Sequence, residues 1–209
     1  MCTADNMVHG IERVLVGDAT LRERTRINCT VKSTFSETRL VPALNDLLVS
    51  NPSPAAVSRF RMGWLEEKNN AAVNAQYGTV TRFGGVSYDI TNSLNVWSSG
   101  MWLCTATGST AAMAAAGGSP MLLESTNLQY LIREHMIESN GNSGEEIRNM
   151  NNAMITSGQK MHLRWNSHKG RIFIDGSHLT HNLELGDEIL IDNNAPPLRM
   201  FVRDEYIGK

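Results

Sequence analysis

The spacing of apolar positions changes several times along the chain, and each change predicts an element. Over MVHGIERVLV (7–16), Met7, Ile11 and Leu15 recur at i, i+4 and i+8. That spacing predicts a short helix, which Gly17 stops. RINCTVKSTF (26–35) alternates and is β-branched, which predicts a strand. TRLVPALNDLLVS is a second apolar segment, interrupted by Pro42. SNPSPAAVSRF (50–60) predicts a bend and then an edge strand.

Residues 66–95 are polar and rich in Gly and Asn. They predict loop with hairpins at Gly78–Phe83 and Val86–Thr91, around a mobile loop at Asn69–Gln76. Trp97–Cys104 predicts a strand with a break at Gly100. Ser119–Glu134 resumes an extended and then helix-like pattern. Residues 138–158 predict a polar insertion. The tail alternates clearly in MHLRWNS, GRIFIDG, HLTHNLELGDEILIDNN and PLRMFVRD. KGRIFIDG and LGDEILI predict consecutive antiparallel strands joined by Gly-bearing turns. Many short strands and frequent turns argue for a mainly β, two-sheet sandwich. The predicted organisation is a helical lead-in or linker over 1–25, a β-rich domain over 26–204 and a short tail over 205–209.

Composition narrows the function classes. Nineteen basic and twenty-one acidic residues leave a net charge of −2. Near balance argues against a polybasic nucleic-acid binder and against charge-held membrane binding. No apolar run approaches the ~18 residues needed to cross a bilayer. The first residues carry no secretory h-region, and the final YIGK is no peroxisomal tripeptide. Cys2, Cys29 and Cys104 are odd in number and fit no metal knuckle. They read as reduced thiols, so a cytoplasmic location is expected. No metal site is expected, because the six His form no HExxH and no ligand pair. His162, His168, His178 and His181 read as surface or satisfied core residues.

The unusual stretch is TATGSTAAMAAAGG (105–118). Ala is the best helix former, which predicts a short helix over about 109–117. Ser109 or Thr110 is the expected N-cap, and Gly117-Gly118 the expected stop. Gly108 allows close backbone approach. Thr107, Ser109 and Thr110 add three hydroxyls, so the turn suits a polar or anionic ligand. The same residues also read as an ordinary capped Ala helix on a sheet. A helix end contributes only ~0.3–1 kcal/mol to an exposed charge. Micromolar binding needs about 8 kcal/mol, so other walls are required.

CTATGSTAAMAAAGG resembles the Thr-Pro-Thr-Gly-Ser-Thr-Ala-Tyr…Gly-Gly signature of NAD kinases. Thr105, Thr107, Gly108, Ser109, Thr110 and Ala111 match, while Ala106 and Ala112 replace Pro and Tyr. The Ala-Ala-Met version is similar to the plant-type NADH kinase branch. Three further segments resemble that branch in the same order: PALNDLLVSNPSPAAVSRF, LQYLIRE (128–134) and RIFIDGSHLTHNLELGDEI (171–189). Asn45-Asp46 occupies the family's Asn-Glu/Asp position.

The resemblance implies the β-rich C-terminal domain of that fold. It also implies transfer of the ATP γ-phosphoryl group to the 2′-hydroxyl of the adenosine ribose of NAD or NADH. Asn45 and Asp46 would contact the dinucleotide. Thr110 and Ala111 would line its adenine side, with Thr107 and Ser109 near ribose or phosphate. Thr105 and Gly108 complete the motif. Asp175-Gly176 would sit in the C-terminal strand pair, or form a simple hairpin turn. ATP and Mg²⁺ would be expected, with sites mostly outside these residues.

The family's Gly-Gly-Asp-Gly-Thr loop, whose Asp acts as base, is absent from these residues. Gly17-Asp18-Ala19 lacks the flanking glycines, and Gly84-Gly85 precedes Val86. No catalytic residue is assigned, and the chain is expected to be an isolated C-terminal domain. The expected partners are dinucleotide and either a second copy or a full-length subunit, with no nucleic acid and no membrane. Three readings stay open: part of a kinase, a non-catalytic binding or assembly module, and a β domain without ligand.

Overall fold

A computed structural model describes residues 7–67, 79–137 and 147–202. The chain begins with helix α1 (Met7–Val16), as the i, i+4, i+8 spacing predicts. Strand β1 (Thr20–Arg24) follows and pairs antiparallel with β15 (Leu198–Val202) in a two-stranded ribbon. The lead-in is therefore not wholly helical. TLRER alternates, but its partner lies at the far end of the chain.

The remaining strands form two sheets. The first runs in the order β10-β9-β8-β4-β12-β13. It contains β4 (Asp46–Ser50), β8 (Gly100–Cys104), β9 (Leu128–Arg133), β10 (Asn152–Ile155), β12 (Lys169–Ile174) and β13 (Leu179–Glu184). The second runs β3-β2-β14-β11-β5-β7-β6. It contains β2 (Asn28–Lys32), β3 (Glu37–Arg39), β5 (Ser58–Glu67), β6 (Thr79–Phe83), β7 (Val86–Ser98), β11 (Met161–Trp165) and β14 (Glu188–Asp192).

The sheets enclose one main core. Ile27, Leu47, Val49, Met62, Leu103, Leu163, Ile172 and Ile189 are fully buried in it. Phe60 stacks on Trp165 there, with ring centroids 6.2 Å apart. Leu65, Phe83, Tyr88 and Leu190 form a second cluster, bridged across strands of the seven-stranded sheet.

Several expectations change. β5 is not an edge strand, because it pairs with β11 on one side and β7 on the other. The two prolines precede it, so every ladder position keeps its N–H. Residues 79–95, expected as loop with short hairpins, supply β6 and most of the thirteen-residue β7. The loop expected at Asn69–Gln76 lies outside the described residues. The stretch expected to be helix-like contains β9, buried on both faces and hence without alternation. The insertion expected at 138–158 contributes β10, and its residues 138–146 lie outside the described ones. KGRIFIDG pairs with β13, whereas LGDEILI crosses to the other sheet as β14.

Gly100 does more than break a strand. It has φ +127, and β7 before it and β8 after it belong to different sheets. A Cβ there would lie 2.7 Å from the Val49 carbonyl oxygen, so only Gly fits the corner.

Candidate functional site

Three strand ends meet at one side of the six-stranded sheet. β8, β4 and β12 are adjacent, and their register sets Asp46 opposite Cys104 and Leu47 opposite Ile174. Asn45, Thr105 and Asp175 are the residues immediately beyond those ends. Residues separated by more than 120 positions in sequence thus converge through ordinary antiparallel pairing.

Thr105 ties the motif to the neighbouring turn. Its N–H donates to the Asn45 carbonyl at 2.9 Å, and its hydroxyl donates to the Leu44 carbonyl at 2.6 Å. The same oxygen accepts from the Thr107 N–H at 3.1 Å. Gly108 packs directly on the Asn45 backbone: a Cβ would lie 2.3 Å from the Asn45 oxygen. Its close approach is therefore to the protein's own chain. Ser109 is fully buried, donates to the Ala106 carbonyl at 2.8 Å and accepts from the Met121 N–H at 2.9 Å.

The Ala helix differs from expectation. α2 spans only Ala112–Ala115, its N-cap is Ala111, and no side chain caps it. Ser109 cannot cap, because its hydroxyl is engaged by Ala106 and Met121. The glycine stop appears as expected. Gly117 has φ +97, its N–H bonds to Ala114, and the Gly118 N–H bonds to Met113. That pair of bonds is the Schellman arrangement.

Other groups at this side are open. Thr110 and Ala111 are exposed. The Thr107 Oγ1 is buried without a hydrogen-bond partner among the described residues. Asn45 and Asp46 are half-buried, and among the described residues their side chains have no hydrogen-bond partner. Burial pushes the Asp46 carboxyl above its ordinary range, and the nearby Asp175 charge pushes it further. An unpaired carboxylate beside an amide and a hydroxyl offers acceptors and donors to a polyhydroxylated ligand.

Asp175 belongs to this side too. Its carboxylate accepts the N–H groups of Leu44, Asn45 and Asp46 at 2.8, 2.6 and 3.1 Å. The resemblance pointed at Asp175-Gly176, but nothing in the sequence showed these partners. The cavity of about 600 Å³ lined by Arg59, Trp97, His135 and Met136 lies beyond the Gly100 end of β8, away from the motif. Among the described residues no group of three or more His, Cys, Asp and Glu could hold a metal ion.

No family model matches the chain. A rice (Oryza sativa subsp. japonica) protein named probable NADH kinase is 30% identical over 205 residues. That match covers 98% of this chain and 55% of the rice protein. An Arabidopsis thaliana NADH kinase is 38% identical over 110 residues, covering 53% of this chain and 33% of that protein. The crystal structure of yeast NADH kinase complexed with NADH superposes with a TM-score of 0.69 at 17% identity. It covers 97% of this chain and 51% of the yeast chain, and shows the shared fold. The chain spans about half the length of the rice and yeast proteins. Similarity along nearly its whole length, with the Asn-Asp pair and the Thr-Gly-Ser-Thr-Ala turn joined at one side of the sheet, supports the NAD kinase family, in its plant-type NADH kinase branch, as the family this chain resembles.

Proposed function

We propose that this chain is the dinucleotide-binding part of an NAD(H) kinase. Asn45 and Asp46 hold the dinucleotide's ribose hydroxyls, Thr107 supplies a further hydroxyl, and Thr110 and Ala111 line the adenine side. The observation that carries this reading is the contrast within the turn. Its backbone is fixed by Thr105 and Asp175, while among the described residues the Asn45 and Asp46 side chains have no hydrogen-bond partner. A carboxylate accepting from a ribose hydroxyl forms a charge-assisted bond, among the stronger kinds available. The similarity to the rice kinase and the fold shared with an NADH-complexed kinase support the reading.

In the family reaction, ATP phosphorylates the ribose 2′-hydroxyl and yields NADPH or NADP⁺. These 209 residues hold no Gly-Gly-Asp-Gly loop, so no base is assigned here. Phosphoryl transfer depends on positioning and electrostatic stabilisation, and this chain would supply the substrate side of that positioning. ATP and Mg²⁺ receive no residue of this chain. Buried free thiols at Cys29 and Cys104 agree with a reducing, cytoplasmic setting. Among the described residues no helix is long and apolar enough to cross a membrane.

A second reading has its own observation. α1 buries none of its residues and exposes Ile11, Leu15 and Val16, and the β1–β15 ribbon also exposes Leu21, Met200 and Phe201. Such a surface suits assembly with a second copy or a longer subunit, which this chain would then modulate.

The test has two arms on the purified 209-residue chain. NADH and NAD⁺ are titrated against it, and NADPH formation is followed with Mg²⁺-ATP. Saturable binding without turnover is expected. Turnover would place a base within these residues and overturn the assignment of roles. Neither binding nor turnover would leave assembly as the function.

A further inference from the structure

We propose that Asp175 is a positioning residue: its carboxylate clamps the 44–46 backbone and so aims the Asn45 and Asp46 side chains at the ligand. This rests on the dinucleotide-binding reading. The carboxylate takes three successive N–H groups, from Leu44 at 2.8 Å, Asn45 at 2.6 Å and Asp46 at 3.1 Å. In return the Asp175 N–H donates to the Asp46 carbonyl at 3.0 Å. Four hydrogen bonds therefore join two segments about 130 residues apart.

A simple hairpin turn does not account for this. Asp175 has φ +49, which Asn or Gly would meet as well. Only an ionised carboxylate is acceptor-only and able to receive three N–H groups. Asn would turn an NH₂ donor toward backbone donors, and Gly would leave three N–H groups without their partner. The arrangement also sets a second negative charge near Asp46, which raises the Asp46 pKa. That electrostatic cost is unexplained by a turn and follows directly from a clamp beside a binding carboxylate.

Thr105 clamps the same turn from the other side through the Leu44 and Asn45 carbonyls. The N–H groups of the turn thus go to the Asp175 carboxylate, its Leu44 and Asn45 carbonyls to Thr105, and its Asp46 carbonyl to the Asp175 N–H. With the backbone satisfied in both directions, the side chains of Asn45 and Asp46 are the groups left to face a ligand.

The experiment compares the full 209-residue chain with Asp175→Asn and Asp175→Gly, both compatible with the positive φ. Amide hydrogen exchange is read at Leu44, Asn45 and Asp46, with Leu163 and Ile189 as core controls. NADH affinity and the Asp46 carboxyl titration are read on the same proteins. The clamp predicts exchange at 44–46 faster by about tenfold or more, unchanged core exchange and NADH binding weaker by about tenfold. It also predicts that the Asp46 carboxyl titrates at lower pH in both variants, because a like charge has gone.

Wild-type exchange at 44–46 in both variants would overturn the clamp. Faster exchange with unchanged NADH affinity would overturn its positioning role. If the unmodified chain fails to bind NADH, the functional reading falls, and exchange still decides the clamp.

Discussion

Glu188 and Asp46 are both half-buried carboxylates, and the protein treats them in opposite ways. Glu188 sits between β2, β6 and β11. Lys32 Nζ lies 2.9 Å from one oxygen. His162 Nε2 lies 2.9 Å from the other, which also accepts from the Thr81 hydroxyl. Burial alone would raise the Glu188 pKa, but the His162, Thr81 and Lys32 hydrogen bonds and the Lys32 charge bring it down to about 2. Among the described residues Asp46 has no such partners, and burial and Asp175 raise its pKa. A fully partnered acid stabilises the fold and has nothing left to offer a ligand. An unpartnered acid costs the fold stability and keeps its acceptors available.

The comparison can be broken or sharpened by substitution. Gly108→Ala should have the largest effect, because the new Cβ meets backbone rather than a movable side chain. About 3 kcal/mol of destabilisation and loss of NADH binding are expected in denaturant and binding titrations. Glu188→Gln follows, at about 2 kcal/mol, since three polar partners lose a charged acceptor.

The pH dependence of Glu188 has a definite sign. Its folded pKa lies below the ordinary 4.5, so its contribution is complete above that value. It is lost as pH falls toward about 2. Acid unfolding of Glu188→Gln should therefore show a shallower slope across that window.

Asp46→Asn should weaken NADH binding by about tenfold, the loss of one charge-assisted bond. Its stability effect has the opposite sign to that of Glu188→Gln. A raised folded pKa means that the ionised form is disfavoured in the fold, so removing the charge leaves the neutral-pH Tm equal or higher. Asp46→Ala should likewise lose binding without unfolding. The smallest effect concerns the thiols. Burial pushes Cys29 and Cys104 up to about 12, so native protein at pH 8 should resist alkylation at both until denatured.

The fold was legible where alternation or a β-branched run marks a strand. β11, β12 and β14 follow alternation or β-branched runs and lie where the pattern put them. β9 was misread because burial on both faces erases the period that separates strand from helix. β7 was under-read because its middle carries Thr91, Asn92, Ser93 and Asn95. Those polar residues sit in a strand because β5 pairs along it past a register shift between Met62 and Trp64, whereas β6 reaches only Val86–Ile90.

At the site, the motif residues could be named from sequence but not sorted. The inward hydrogen bonds of Ser109 depend on Ala106 and Met121, and the clamp on residues 44–46 depends on Asp175. Each is set by tertiary pairing and has no local signature. His162, read with three other histidines as either a surface or a satisfied core residue, is the latter: it is buried and bonded to Glu188.

The most direct test of the central claim is a paired NADH titration and thermal unfolding of the chain, Asp46→Asn and Glu188→Gln at neutral pH. The account predicts saturable binding by the unmodified chain. It predicts that Asp46→Asn loses affinity and keeps its Tm, while Glu188→Gln loses Tm and keeps its affinity. Absence of saturable binding, or parallel loss of Tm and affinity in both variants, would contradict it.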